Sequence, residues 1–275
     1  MEISAKQIEV LKQSTLSLTK YLDNISIAII GTDKNQQPAE IGSGTCIKIG
    51  DTYLIATAAH CIRGYKMDDL FLIHSKSPKP KDISINKIGF RGGGDCDLLD
   101  IAWLELTEET ARTIEKEFID LKDIVIDIYH IHDDLTFVSG FPGALIDHVK
   151  ENKLLSVTPI GYLTITIDPP SIGQTINKYD IFFDYPKDGN LVFDNRAKEL
   201  PDPKGISGGG FWSLNINTEG IWSNQKIKLF GIDRSWSPTK RWIKGIQIQH
   251  WLKMIIEDFP ALEKEIINYF PKLNT

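Results

Sequence analysis

The sequence predicts an all-β protein of two β units, with helices at both ends of the chain. From Asn24 onward, short runs rich in Ile, Val, Thr and aromatic residues alternate with Gly, Asp and Pro. Runs of this length between turn residues are typical of antiparallel barrels or sandwiches. A helical stretch interrupts them once, so the strands are expected to form one unit on each side of it.

The predicted strands form two groups. Those before the connector are Ile25–Ile30, Thr45–Ile49, Thr52–Ala56, Leu70–His74 and Ile101–Leu106, and those after it are Leu135–Gly140, Leu154–Ile167, Ile181–Tyr185, Gly209–Leu214 and Ile227–Asp233. The predicted organisation is an N-terminal helix at residues 1–23, a first β unit at 24–106, a helix-bearing connector at 107–134, a second β unit at 135–246 and C-terminal helices at 247–275.

Apolar residues at helical spacing identify the terminal helices. Within Ala5–Leu22 they form a one-sided stripe at Ile8, Leu11, Leu18 and Leu22. The connector Thr107–Asp123 is helical in character, and two further stretches, Ile248–Glu257 and Ala261–Tyr269, close the chain around Pro260. We expect the apolar stripes to pack on the β units, although the same helices could dock a regulatory partner protein.

Charge and cysteine usage exclude several function classes. The chain carries a formal charge of −6 with both signs interspersed, so it has no basic surface for nucleic acid. No apolar run approaches the roughly 20 residues that span a bilayer, and the first residues lack a secretory signal. Three cysteines, Cys46, Cys61 and Cys96, fit a reducing compartment. We therefore expect a cytoplasmic protein without contact to nucleic acid or membrane.

A serine on a glycine-flanked turn is the strongest local signal. The stretch Pro201–Gly210 reads PDPKGISGGG and displays Ser207 between glycines before the apolar pair Phe211-Trp212. Glycine permits backbone conformations that other residues avoid and lets a substrate approach closely. A hydroxyl beside free backbone N–H groups is what a nucleophile next to an oxyanion hole requires.

A histidine and an aspartate earlier in the chain complete a candidate constellation. His60 follows small residues at the end of an apolar run, and Asp100 directly precedes the buried run IAWLEL. A desolvated carboxylate can accept a hydrogen bond from Nδ1–H of a histidine and hold its tautomer. The bland alternatives are a satisfied core histidine and a turn-capping aspartate. Asp97 is a rival for the carboxylate, and a weaker one because it lies further from the apolar run.

These motifs resemble those of trypsin-like (chymotrypsin-fold) serine peptidases, in particular the bacterial and intracellular branch. Residues 42–45 (GSGT) and 57–61 (TAAHC) match two of the family's patterns. Residues 100–104 (DIAWL) are similar to its D-I-A-x-L pattern, and 205–209 (GISGG) to its G-x-S-G-G pattern. Residues 140–143 (GFPG) resemble the turn that opens the second barrel. The likeness runs from about Ile25 to Trp251.

The resemblance implies a fold, an activity and a set of roles. The fold would be two six-stranded antiparallel β-barrels with the site in the crevice between them. The activity would be that of a serine endopeptidase acting on protein or peptide substrates without a cofactor. Ser207 would be the nucleophile, His60 the general base and Asp100 its orienting carboxylate, while the N–H groups of Gly205 and Ser207 would bind the oxyanion.

Two departures from the secreted members of this family change the expectations. Ile206 stands where those members carry an aspartate that pairs with a newly freed N-terminus. We therefore expect no activation by trypsin-style N-terminal cleavage. Cys61 follows the histidine as in secreted relatives, but Cys46 lies later than the usual partner position, so a disulfide is not expected. Zinc is rejected because the cysteines and His60 lack paired ligand spacing.

Primary specificity has two alternative explanations. Asp202 or Asp233 at a pocket wall would favour a Lys or Arg side chain by charge pairing. Alternatively both carboxylates are exposed on loops, or Arg234 neutralises Asp233 and Trp236 narrows the entrance. The sequence leaves these alternatives open.

Two other functions compete with the peptidase. The motif at Ser207 also fits the G-x-S-x-G elbow of α/β-hydrolases, with Asp233 and His250 following in that fold's order. That elbow needs a strand before the serine and a helix after it, whereas residues 198–204 are polar and proline-broken. The second alternative is a catalytically silent binding module on the same fold, because fold does not guarantee activity.

Overall fold

The computed structural model describes most of the chain. The described residues are 5–34, 38–73, 85–94, 98–126, 135–149, 154–169, 179–185, 190–193, 196–214, 223, 226–237 and 239–274. Within them, strands dominate and assemble into two six-stranded sheets. Helices lie at both ends of the strand-bearing region.

The first sheet is formed by the strands that precede the connector. Its strands are β1 (Ser26–Thr32), β2 (Pro38–Ile49), β3 (Thr52–Thr57), β4 (Leu70–Ile73), β5 (Ile85–Gly92) and β6 (Asp100–Leu106). All neighbours are antiparallel, in the order β4-β1-β2-β3-β6-β5. This order brings the ends of β3 and β6 side by side, because Thr57 pairs with Ala102.

The second sheet follows the connector and is also antiparallel. The strands of this half of the chain are β7 (Thr136–Gly140), β8 (Ile146–Val149), β9 (Leu154–Val157), β10 (Ile160–Thr164), β11 (Asp180–Asp184), β12 (Asn190–Phe193), β13 (Arg196–Glu199), β14 (Gly210–Ser213), β15 (Lys228–Ser237) and β16 (Trp242–Gln247). Six of them form the sheet in the order β10-β7-β14-β15-β16-β11, while β8 with β9 and β12 with β13 form two separate hairpins.

Helices pack on both sheets. They are α1 (Ala5–Ile25), α2 (Glu108–Thr113), α3 (Ile248–Asp258) and α4 (Glu263–Tyr269). From α1, Leu18, Leu22 and Ile25 are each 1% exposed and join the largest apolar cluster. Trp251 of α3 is fully buried in the same cluster, and its indole N–H donates to the carbonyl of Ala102 at 2.8 Å. Leu18 and Leu22 of the α1 stripe and the apolar face of α3 are therefore packing surfaces.

The fold class predicted from the sequence is confirmed, with local corrections. The connector helix is shorter than predicted and ends at Thr113, two residues before Glu115 takes a positive φ of 54°. The single run Leu154–Ile167 is divided into β9 and β10 around Thr158-Pro159, since proline cannot donate to a ladder. Strands β5, β8, β12, β13 and β16 were not predicted. In β5 the sequence INKIGFRG mixes polar, apolar and glycine residues, and none of them is fully buried.

Among the described helices, none combines the length and the apolar character needed to cross a lipid bilayer.

Candidate active site

Ser207 lies on a tight turn that leads into β14 and is 9% exposed. The turn is closed by hydrogen bonds from the N–H of Ile206 to the carbonyl of Pro203 (3.0 Å) and from the N–H of Gly209 to the carbonyl of Ile206 (2.8 Å). Gly208 has φ +86°, and a Cβ there would lie 2.0 Å from the carbonyl oxygen of Ser43. Only glycine fits this position, because both the backbone conformation and the space exclude a side chain.

Two backbone N–H groups at the turn have no acceptor among the described residues. Gly205 has φ +101°. Among the described residues, the N–H groups of Gly205 and Ser207 donate to no protein acceptor. Buried N–H groups are nearly always paired in proteins. Two unpaired donors beside one hydroxyl therefore form an arrangement that can receive a negatively charged oxygen.

His60 and Asp100 meet at the end of the first sheet. His60 lies on the 3-10 turn Ala59–Cys61 that follows β3, and Asp100 is the first residue of β6. The Nδ1 of His60 lies 2.7 Å from Oδ2 of Asp100, and the backbone N–H of His60 donates to Oδ1 at 3.0 Å. Both carboxylate oxygens thus hold the same residue. Since Oδ2 is an acceptor, Nδ1 carries the proton and Nε2 is left with its lone pair in the neutral ring.

Burial and hydrogen bonding act in opposite directions on this pair. Burial alone would lower the pKa of His60, but the hydrogen bond with Asp100 and the contact with Cys61 raise it above the ordinary 6.5. Burial alone would raise the pKa of Asp100, but the hydrogen bonds from His60 and the charge of Arg234 lower it below 3.8. The carboxylate is therefore ionised and favours the protonated imidazole.

Ser43, at the centre of β2, connects the two halves of the site. Its N–H donates to the carbonyl of Ser207 at 2.7 Å, and its hydroxyl donates to the carbonyl of Gly205 at 2.9 Å. The same hydroxyl accepts from the N–H of Phe141 at 2.8 Å. In the sequence, Ser43 belongs to the motif at residues 42–45, but no role could be assigned to its side chain. Its function as a clamp on the serine turn depends on contacts 162 residues apart in the chain.

The serine and histidine side chains are brought to the same region without a direct hydrogen bond. Within the described part of the chain, the Ser207 hydroxyl makes no hydrogen bond, and Nε2 of His60 contacts Sγ of Cys61 at 3.7 Å. Cys61 Sγ also lies 3.4 Å from the carbonyl oxygen of Ser207, which places the two residues on either side of one thiol. Alignment of hydroxyl and imidazole in free enzymes is often incomplete and tightens when substrate binds.

The candidate specificity residues fall in different environments. Asp202 is exposed, and its Oδ1 accepts from the N–H of Lys204 at 2.9 Å, so it caps a turn. Asp233 is 1% exposed, and neither of its carboxyl oxygens has a partner at full hydrogen-bond geometry in the described structure, although the backbone N–H groups of Arg234 and Ser235 lie close enough to lower its pKa. Arg234 forms ion pairs with Asp100 and Asp180 instead of neutralising Asp233. Trp236 is partly buried against the apolar cluster of the second sheet.

Burial dominates the behaviour of Asp233. It raises the pKa of the carboxyl well above 3.8, and the nearby charge of Asp100 acts in the same direction. The backbone of Asp233 is fixed beside the serine turn, because the N–H of Gly208 donates to its carbonyl at 2.7 Å and its own N–H donates to that of Gly209 at 2.8 Å. Asp233 therefore stays protonated to a higher pH than an ordinary aspartate.

The cysteines and the remaining candidates are placed as follows. Cys46 and Cys61 are both buried, and no disulfide joins them. Gly42, not Cys46, faces Cys61, since a Cβ at residue 42 would lie 2.5 Å from its Sγ. Asp97 and Cys96 lie outside the described residues. The described residues contain no cluster of His, Cys, Asp and Glu suited to a metal ion.

An α/β-hydrolase site is not what surrounds Ser207. The residues before the turn are irregular, and the element after it is the strand β14. A nucleophile elbow requires the reverse order, with a strand before the serine and a helix after it. His250, the proposed base of that alternative, packs against Tyr179 with ring centroids 4.1 Å apart and ring planes tilted by 57°.

Two solved structures are similar to this chain over most of its length. Both are scabies mite inactivated protease paralogues. The paralogue S-I1 is 13% identical, the match covers 86% of this chain and 96% of that chain, and the TM-score is 0.53. The paralogue S-D1 is 14% identical, with 89% and 94% covered and a TM-score of 0.54. No protein-family profile and no curated protein matches the sequence.

Likeness at this level of identity concerns the fold alone. It agrees with the two six-stranded antiparallel half-barrel sheets. The chain therefore has a chymotrypsin-like fold.

Proposed function

We propose that the protein is a serine endopeptidase that uses His60, Asp100 and Ser207 as a catalytic triad. The observation that supports this most directly is the double hold of Asp100 on His60, with contacts of 2.7 Å to Nδ1 and 3.0 Å from the backbone N–H. This hold fixes the ring in the tautomer that a general base needs. The Asp100 carboxylate is itself only 5% exposed, so it acts on the ring from a desolvated position.

The proposed reaction follows from where each group lies. Ser207 Oγ attacks the carbonyl carbon of the scissile peptide while Nε2 of His60 takes its proton. Asp100 stabilises the imidazolium, and the N–H groups of Gly205 and Ser207 receive the developing oxyanion. His60 then gives the proton to the leaving amine, and water repeats the sequence to release the acyl group. The hydroxyl must move toward Nε2 for the first step.

Activation by trypsin-style N-terminal cleavage has no support in the geometry. Ile206 is 1% exposed and packs in the apolar cluster of the second sheet, so it offers no charge to a new amino terminus. Leu22 and Ile25 of α1 are buried in the main core, directly before β1. We propose that the enzyme forms its site without this processing, in a reducing compartment such as a bacterial cytoplasm, with both described cysteines as thiols.

A fluorophosphonate probe tests the activity directly. The wild-type protein should be labelled covalently on Ser207, and Ser207→Ala should not be labelled while keeping its circular dichroism and thermal unfolding. Ser213→Ala is a matched control, because Ser213 is likewise a buried serine but lies at the end of β14 and not on the turn. Labelling of Ser207→Ala at the wild-type level would show that another residue is the nucleophile.

A catalytically silent binding module is the second candidate. It is favoured by one observation, the lack of a hydrogen bond from the Ser207 hydroxyl within the described residues. The two similar structures are also those of inactivated proteases. This candidate predicts no labelling of the wild-type protein at any pH between about 6 and 10, the range in which a histidine base becomes neutral. Binding of a regulatory partner to the terminal helices is a separate proposal, which pull-down with the wild-type protein and with Tyr269→Ala would test, because the Tyr269 side chain on α4 is 51% exposed.

A further inference from the structure

Arg234 is placed by an irregularity in strand pairing. Along β15 and β16, Asp233 lies opposite Gly245 and Ser235 lies opposite Lys244, so Arg234 is an extra residue. Such a bulge interrupts the alternation of side chains and re-aims the extra one. The Arg234 side chain is only 7% exposed and reaches the carboxylate of Asp100, on the first sheet.

The guanidinium lies between two buried carboxylates. Its Nη1 is 3.1 Å from Oδ1 of Asp180, and its Nε is 3.8 Å from Oδ2 of Asp100. The longer contact is ionic, since it exceeds hydrogen-bond length. Lys244 contacts the other oxygen of Asp180 at 3.5 Å. The Asp100 oxygen nearest to Arg234 is the same Oδ2 that accepts from Nδ1 of His60.

We propose that Arg234 is a positioning residue for the His60–Asp100 pair. Anchored on the second sheet by Asp180, its charge holds the Asp100 carboxylate of the first sheet and shares the oxygen that binds the His60 ring. This inference rests on the proposed function, because it assigns Arg234 to the same triad. Arg234 touches neither substrate nor the reacting atoms in this role.

The alternating order of positive and negative side chains explains why these buried charges are tolerated. Asp180 and Asp100 are 0% and 6% exposed at their side chains, and an isolated charge at such depth is costly. Here the signs alternate from Lys244 through Asp180, Arg234 and Asp100 to His60, so each charge has an opposite neighbour. The two sheets are thereby joined by an ion pair at the point where the triad must assemble.

Arg234 also limits how strongly Asp100 can favour the imidazolium. An opposite charge within about 4–6 Å stabilises an ionised group, and Arg234 contributes to the lowered pKa of Asp100. A carboxylate whose charge is partly satisfied by arginine stabilises a proton on His60 less. The base is thereby kept closer to the neutral form that can accept the Ser207 proton.

The other groups around the pair do not replace this effect. Cys61 lies on the same turn as His60. The others lie on three strands of the second sheet: Asp180 on β11, Asp233 on β15 and Lys244 on β16. Asp233 is held toward its neutral form by burial. Burial and the charge of Arg234 both lower the pKa of Lys244, whereas Asp180 raises it. Arg234 forms an ion pair with Asp100 itself, whereas the ion pair of Lys244 is with Asp180.

Two substitutions test the proposal, one that removes the positive charge of Arg234 and one that removes the negative charge of Asp180. Titration of His60 is followed by NMR in the full chain carrying Ser207→Ala, with the resonance identified by its loss in His60→Gln. Arg234→Met should raise the pKa of His60 by about one unit, a tenfold change in protonation ratio. Asp180→Asn should lower it, because Arg234 then acts on Asp100 without its counter-charge. Arg234→Lys keeps the positive charge, and the pKa of His60 should stay within about 0.3 unit of the wild-type pKa.

A purely structural Arg234 gives a different pattern. Shifts in the same direction for Arg234→Met and Asp180→Asn, or no shift in either, would overturn the proposal. If Arg234→Met does not fold, the downward shift in Asp180→Asn together with the retained value in Arg234→Lys decides the question. The titration needs no hydrolysis, so it is independent of fluorophosphonate labelling, which tests the proposed peptidase activity itself.

Discussion

Asp100 holds His60 at two points, through Oδ2 to the ring Nδ1 at 2.7 Å and through Oδ1 to the backbone N–H at 3.0 Å. The ring can therefore neither rotate nor change tautomer without breaking a contact to a buried carboxylate. This pairing spans the ends of two adjacent strands, so the geometry of the candidate base is set by the first sheet as a whole.

Replacement of Asp100 should remove the tautomer control and leave the fold. In Asp100→Asn the amide can face His60 with its NH₂ group, which forces the proton onto Nε2 and blocks it as a base. We expect the rate of fluorophosphonate inactivation to fall by about 10³–10⁴-fold. Asp202→Asn is the matched control, because Asp202 is an exposed turn cap and its removal should change the rate by less than about twofold. A small effect of Asp100→Asn would contradict the triad.

The pH dependence of inactivation should report the state of His60. The base works only when neutral, so the rate rises as pH increases through its pKa. Because the hydrogen bond with Asp100 raises that pKa above 6.5 against the effect of burial, the inflection should lie on the alkaline side of 6.5. The measurement is second-order inactivation by a neutral fluorophosphonate from about pH 5 to 10. An inflection below 6.5 would mean that the pair is not formed in solution.

The two positive-φ glycines Gly208 and Gly64 should respond differently to alanine. Gly64 has φ +91° and no atom within 4 Å of the place where a Cβ would lie, so Gly64→Ala costs only backbone strain, about 1 kcal/mol. At Gly208 the same methyl group would lie 2.0 Å from the carbonyl oxygen of Ser43 and 2.2 Å from Oγ1 of Thr57. We expect Gly208→Ala to lower the free energy of unfolding by about 3 kcal/mol or more. Urea denaturation compares them, and equal losses would contradict the packing of the serine turn.

Asp233→Asn should stabilise the protein at neutral pH. Burial raises the folded-state pKa of Asp233 well above 3.8. Above pH 3.8 the carboxyl ionises in the unfolded chain while the folded protein resists ionisation, so stability is lost as pH rises toward the folded pKa. Asparagine does not titrate, and the gain in Tm over wild type should therefore be larger at about pH 7 than at about pH 4. A gain that shrinks as pH rises would mean that Asp233 is ionised and paired when folded.

Local patterns predicted much of the site, and long-range contacts supplied the rest. The positions of His60, Asp100 and Ser207 could be read from short motifs, because each motif places one chemical group near the boundary of an apolar run. The strands β7, β11 and β14 were predicted to within one residue at each end for the same reason. Their packing requires alternating or continuous apolar residues, which a sequence displays directly.

The environment of the charged residues could not be read in this way. The sequence left open whether Arg234 neutralises Asp233. The outcome depends on a bulge between Asp233 and Ser235, and no residue type marks that bulge. Asp233 is of a residue type that is usually exposed on loops, but it is 1% exposed. The role of Ser43 likewise arises from contacts with the second sheet, whose proximity is decided by tertiary packing.

The contacts of Ser43 have a consequence for how the centre comes into being. A hydroxyl and an amide from the first sheet complete the turn that carries Ser207, through Gly205 and through the Ser207 carbonyl. A nascent chain or a broken fragment that has folded only one half thus presents an unfinished turn. Under the proposed function, the chemistry of this centre would be postponed until synthesis and docking of both halves are complete, and neighbouring polypeptides would be shielded from premature attack.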